Sequence, residues 1–100
     1  MEVTLRNLEG FEWDKGNLHK SLIKHKVSVL ESEEVFANKP LIILPDTSHS
    51  KNQEKRFHAF GKTSSARLIL VSFTIRSKKI RVISARPMSA KERNFYANYE

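Results

Sequence analysis

The stretch "RLILVSFTIRSKKIRVISAR", residues 67–86, constrains the fold more than any other part of the chain. Successive side chains of a β-strand point to opposite faces. Over 67–76 this puts Arg67, Ile69, Val71, Phe73 and Ile75 on one side, and Leu68, Leu70, Ser72, Thr74 and Arg76 on the other. The first side is apolar through its middle, with an arginine at its edge; the second is half polar. A sheet packed on helices by one face, with the other partly open, has this pattern. The turn "RSKK" leads into a further strand over 79–85, and "GKTSSA" joins an earlier one over 55–61. Short turns between consecutive strands predict an antiparallel meander.

The flanking sequence supplies the helices. "FEW" (11–13) reads as a first strand after a lead-in over 1–10. Asp14 can cap a helix over 15–26, in which Leu18, Leu22 and His25 share a face and Gly16 and Asn17 weaken the start. Ser28 and Glu31 form an S-x-x-E capping box for a second helix, 28–37, with Val35 and Phe36 turned to the core and "NKP" ending it. "LIIL" (41–44) is a strand, and "PDTSHSKNQE" (45–54) is a polar turn too long for a tight hairpin. Ser89 and Glu92 repeat the capping box at the head of a short C-terminal helix. The expectation is one α+β domain over residues 1–100, an antiparallel meander packed against N-terminal helices.

A chain of 100 residues without cysteine has one compact core and no disulfide or thiolate chemistry, which fits a cytoplasmic location. Its apolar runs, such as "LILVSF", are too short to span a bilayer, and the N-terminus lacks a signal-peptide pattern. No membrane partner is expected. The charge is unevenly placed. Residues 1–50 carry 6 Lys/Arg against 8 Asp/Glu, whereas residues 51–100 carry 12 against 3. A basic half attracts polyanions, nucleic acid first among them, and an acidic protein partner would use the same surface. A basic face that serves only solubility is the plainer alternative, and the asymmetry ranks a nucleic-acid or acidic protein partner above it.

Chemical motifs are few. His19, His25, His49 and His58 show no ligand spacing, and three glycines leave no P-loop or dinucleotide fingerprint, so neither metal nor cofactor is expected. Arginine, histidine, lysine and tyrosine around an open sheet suffice to cut RNA without a metal. A base takes the 2′-OH proton, the alkoxide attacks the adjacent phosphate, arginines stabilise the added charge, and an acid protonates the departing 5′-oxygen. The same types could instead only bind RNA. Singly, each candidate has a structural explanation: Arg67 as a solvated strand end or ion-pair partner, Arg81 as an arginine snorkelling from a half-buried strand face, Tyr96 as a helix residue on the sheet, and Lys24 and His25 as cations at a helix C-terminus. Arg56 and His58 share the polar face of their strand, and four arginines on three sequential strands favour a cluster. Strict alternation sets Arg81 with Ile83 and Ala85, and Arg86 with Val82 and Ser84. The two arginines should therefore face different sides, with Arg86 the catalytic candidate and Arg81 a helix or partner anchor.

An ordered set of segments resembles the BrnT toxins of type II toxin–antitoxin systems: "FEWD" with Lys15 and Asn17, "KHKVS" (24–28) before a Glu-rich helix ending in Phe36, "PDTSH" (45–49), "EKRF" (54–57) with Gly61, "RLILVSFT" with Arg76, and "IRVISAR" with "KER" and Tyr96. Lys26 stands where that family often has glycine, Met88 stands where a small residue is usual, and the lead-in is extra. The resemblance implies a RelE-like fold and a metal-independent endoribonuclease. It also implies neutralisation by a BrnA-type antitoxin, through which alone the toxin would meet operator DNA. The wider RelE-like group suggests Arg67, Arg86 and Tyr96 as catalytic residues. His25, Lys24 and His58 are candidates for the general base in that order, and Lys24, Arg56, His58, Arg76 and Arg81 are candidates for holding RNA. The competing readings are a non-catalytic nucleic-acid- or antitoxin-binding module and a basic scaffold protein.

Overall fold

The computed structural model describes residues 8–13, 16, 23–48 and 54–99. Five strands form one sheet: β1 (Phe11–Trp13), β2 (Ile42–Asp46), β3 (Arg56–Lys62), β4 (Leu68–Arg76) and β5 (Lys79–Pro87). Two helices have defined bounds, α1 (Val29–Ala37) and α2 (Ala90–Ala97). Of the helix expected over 15–26, residues 16 and 23–25 are helical; residues 14, 15 and 17–22, including Leu18, His19 and Leu22, lie outside the described residues, as does His49.

The strand order is β1-β5-β4-β3-β2. Strands β2 to β5 form the antiparallel meander that the short turns predict. The fully antiparallel expectation needs correcting, because β1 lies parallel to β5, with Phe11 opposite Ile80 and Trp13 opposite Val82. The sheet is therefore mixed. A parallel pair needs a long crossover, and here the whole of α1 and the meander intervene between the two strands. Strand β2 also runs past Leu44 to Asp46, into what reads as a polar turn. Pro45 is tolerated there because β2 is an edge strand.

One face of the sheet is dry. Phe57, Ala59, Ile69, Val71, Phe73, Val82 and Ala85 meet Val27 and Val35, with Phe11, Trp13 and Phe36 packed around them. The rings of Phe36 and Phe73 meet edge to face at 5.2 Å. Burying each such side chain contributes about 1.5–3 kcal/mol. Helix α1 lies so close to β3 that a Cβ on Gly61 would sit 2.8 Å from Val35 Cγ1 and 3.0 Å from its carbonyl oxygen. Among the described residues, the opposite face is covered at one end, where α2 brings Tyr96 and Phe95 onto Phe60, Leu70 and Met88.

A bulge decides which residues reach that second face. Ser72 pairs with Ser84 but Phe73 pairs with Val82, so β5 carries one extra residue, Ile83. Val82 and Ala85, three apart, are both fully buried on the dry face. Arg81 pairs with Thr74 and Arg86 with Leu70, which puts both arginines on the open face. The expectation that they face different sides fails because alternation is interrupted between them.

Candidate active site

The uncovered part of the open face holds a pocket of about 250 Å³, lined by Asp46, Arg56, His58, Leu70, Ser72, Ile83, Ser84 and Arg86. Register explains the gathering. Asp46 of β2 sits opposite Arg56 of β3, His58 opposite Ser72 of β4, and Ser72 opposite Ser84 of β5. Opposed residues point to the same side of a sheet.

His58 is held from both ring nitrogens. Nε2 lies 3.3 Å from Asp46 Oδ2 and Nδ1 lies 3.1 Å from Ser72 Oγ. A carboxylate only accepts, so Asp46 places the proton on Nε2; in the neutral ring Nδ1 is then the acceptor and Ser72 the donor. Asp46 is itself fixed by the Ser48 backbone N–H, which donates to Oδ1 at 3.2 Å. The imidazole thus has a defined orientation, tautomer and basic nitrogen.

Arg86 ends β5 at the rim. Its two terminal nitrogens donate to the two carboxylate oxygens of Glu92 at 2.7 and 2.8 Å. Glu92 is also the N3 residue of the α2 capping box: the Ser89 N–H donates to its Oε1, and its own N–H donates to Ser89 Oγ. The Arg86 guanidinium, offset in part by burial, pulls the Glu92 carboxyl down to about 2. The pair raises Arg86 in turn.

The other sequence candidates fall elsewhere. Arg81 is on the open face but pairs with Glu12 of β1 at 2.7 Å, and Arg76 pairs with Glu54 at 3.1 Å at the exposed end of β4. Arg67 lies on the helix-covered side against the main chain of His25 and Lys26, and Lys24 is outside the pocket lining. There Arg67 donates to the Lys26 and His25 carbonyls at 2.8 and 3.4 Å and to Glu31 at 2.9 Å. The buried Tyr96 lies outside the pocket lining, and its hydroxyl donates to the Pro40 carbonyl at 2.5 Å. The structure therefore brings Arg56, His58 and Arg86 together and separates them from Arg67, His25, Lys24 and Tyr96.

Sequence reasoning missed Asp46, Ser72, Ser84 and Glu92 as members or supports of this site. The signal for Asp46 was its two-residue spacing from Leu44 across an edge-tolerated proline. The signal for Glu92 was its place in a capping box just past a strand-end arginine. Among the described residues, no group of three or more His, Asp or Glu could hold a metal ion. No helix among them is long and apolar enough to cross a membrane.

Comparison with known proteins converges on one group. A family model described as "Ribonuclease toxin, BrnT, of type II toxin-antitoxin system" matches residues 13–92, a span that includes every pocket residue. The crystal structure of the Brucella abortus ribonuclease toxin BrnT matches with a TM-score of 0.61 and 22% identity, over 80% of this chain and 96% of that one. At this identity the likeness speaks for the fold. No curated protein matches.

Proposed function

Because the chain belongs to the BrnT family of ribonuclease toxins of type II toxin–antitoxin systems, we propose that the open-face pocket binds RNA and cuts it without a metal. The observation that carries this reading is the convergence of Arg56, Arg86 and an Asp46-oriented His58 on the uncovered part of the sheet. In the proposed reaction His58 Nδ1, exchanging its bond to Ser72, takes the proton of a ribose 2′-OH. The 2′-oxygen attacks the adjacent phosphorus and the P–O5′ bond breaks. The products are a 2′,3′-cyclic phosphate and a 5′-hydroxyl, the imidazolium returning its proton to the 5′-oxygen. Arg56 and Arg86 hold the charge that builds on the phosphorane oxygens, a role that suits a permanently charged, forked donor. Asp46 acts as a positioning residue through His58. Arg81 and Arg76 extend the basic surface along the open face for neighbouring phosphates. Within this reading the chain works in the cytoplasm, and a BrnA-type antitoxin blocks the pocket and carries the toxin to operator DNA.

The test is cleavage of RNA in the presence of a chelator, with the products analysed for cyclic phosphate ends. The parent should cut and His58→Ala should not, and strands lacking the 2′-hydroxyl should survive. Folded parent protein that leaves RNA intact would sink the proposal. A second reading has one observation in its favour: Glu92 already engages both ends of the Arg86 guanidinium. A non-catalytic RNA- or antitoxin-binding module would tolerate that pairing, and it predicts salt-dependent binding with no cleavage.

A further inference from the structure

Beside the phosphate pocket lies a second one of different character. It has a volume of about 360 Å³ and is lined by Leu44, Phe60, Phe95, Lys91 and Glu92. Its walls are largely apolar, and its size is within the range of small-molecule sites. Leu44, 40% exposed, lies on the edge strand directly opposite His58. Phe60 is two residues beyond His58 on the same face of β3, with the ring centroids 6.5 Å apart. Phe60 meets Phe95 edge to face at 5.2 Å, and Phe95 meets the exposed Tyr99 in the same way. Glu92 joins the two pockets, since it lines this one while holding the Arg86 of the other.

We propose that this pocket receives one unstacked base of the RNA, next to the phosphate held by Arg56 and Arg86. The inference rests on the RNA-binding reading of the open face. Three features commit it to a base rather than to a side chain of a partner protein. The step from imidazole to aromatic wall is one that a single nucleotide spans. The lining is aromatic and aliphatic, which grips the flat face of a base irrespective of its edge. Lys91 in the lining supplies a cation suited to a nucleotide's phosphate. Phe60 of the sheet is thus joined by an aromatic, Phe95, from the last helix.

The test reads binding and does not depend on cleavage. Short 2′-O-methyl oligonucleotides, which cannot be cut, are compared with versions in which one nucleotide at a time is abasic. An abasic site at one position should weaken binding about ten-fold or more, with smaller effects elsewhere. Phe95→Leu and Leu44→Ala should weaken the intact oligonucleotide and leave the abasic one unchanged. The proposal is overturned if no abasic position matters, or if both variants weaken intact and abasic strands alike. Loss of cleavage with the abasic pattern intact would defeat the catalytic reading and leave the base site standing. Strong binding insensitive to every abasic position would leave RNA binding on the open face standing and remove the base site.

Discussion

Two arginines close the same end of the β4–β5 pair, one on each face of the sheet, and each grips the glutamate of a Ser-x-x-Glu capping box. Arg67, just before β4, holds Glu31 of the Ser28 box; Arg86, at the end of β5, holds Glu92 of the Ser89 box. Even the residues ahead of the caps match, since Val27 and Met88 are both buried. The difference lies in what else each guanidinium touches. Arg67 also serves two main-chain carbonyls at the end of the helical residues 23–25, so it ties that segment, α1 and β4 together. Arg86 spends its fork on Glu92, reaches among the other described residues only the carbonyl of its own neighbour Pro87 at 3.2 Å, and lines a pocket beside a histidine. One local device ties a helix to the sheet on the covered face and lines the candidate site on the open one.

The largest expected effect separates the two arginines by activity. Arg86→Ala should lower RNA cleavage about a hundred- to a thousand-fold, the usual cost of losing a donor to transition-state charge. Arg67→Lys, which keeps a cation on the helix-covered face, should leave cleavage within a few-fold. If Arg67→Lys removes activity while the fold is kept, the comparison is the wrong way round.

Stability should rank them in reverse. Arg67→Ala strands Glu31 and two helix-end carbonyls, at a cost of about 2 kcal/mol. Arg86→Ala breaks a half-exposed pair, at a cost of about 1 kcal/mol after solvent screening. Urea denaturation midpoints at neutral pH read the order directly, and a midpoint for Arg86→Ala below that of Arg67→Ala would refute it.

Acid sharpens the contrast. The folded Glu92 carboxyl, at about 2, lies below its ordinary value of 4.5. Its stabilising contribution is therefore complete above about pH 4.5 and fades as pH falls from there through about 2. Arg86 is its largest cause, whereas Glu31 is lowered first by the Ser28 backbone N–H and only secondarily by Arg67. Arg86→Ala should thus flatten the acid loss of stability far more than Arg67→Ala, as followed by circular dichroism between pH 5 and pH 2 (about the window set by these carboxyls).

The elements were legible where local chemistry dictates them. Both capping boxes form as the S-x-x-E spacing requires, and the short turns at 63–66 and 77–78 give the meander. What stayed illegible depends on distant pairing. Three residues of "FEW" carry no sign that their partner is β5, and nothing local marks Ile83 as the extra residue that turns Arg81 to the open face. The candidate site was half visible for the same reason. Arg56, His58 and Arg86 stand out as residue types, but Asp46 joins them only because an edge strand continues through Pro45 to pair with β3. Arg67 is the converse case, a conspicuous strand-start arginine whose partners, Glu31 and the main-chain carbonyls of His25 and Lys26, no motif reveals.

The smallest effect concerns how the chain enters each box. Pro87, the last residue of β5, leads toward an extended Ser89, whereas Lys26 leads toward Ser28 with φ at +54°. That left-handed conformation costs a residue with a Cβ about 1 kcal/mol and costs glycine nothing, though glycine gives back part of the gain through its freer unfolded chain. Lys26→Gly should therefore stabilise by about 0.5 kcal/mol, raising Tm by roughly 2–4 °C for a domain of this size. The Lys26 carbonyl that Arg67 engages belongs to the main chain and survives the change, so the gain should be the same in an Arg67→Ala background. A gain that disappears in that background would mean that Arg67 itself holds residue 26 in the left-handed turn, making the covered-face clamp a source of strain as well as of cohesion.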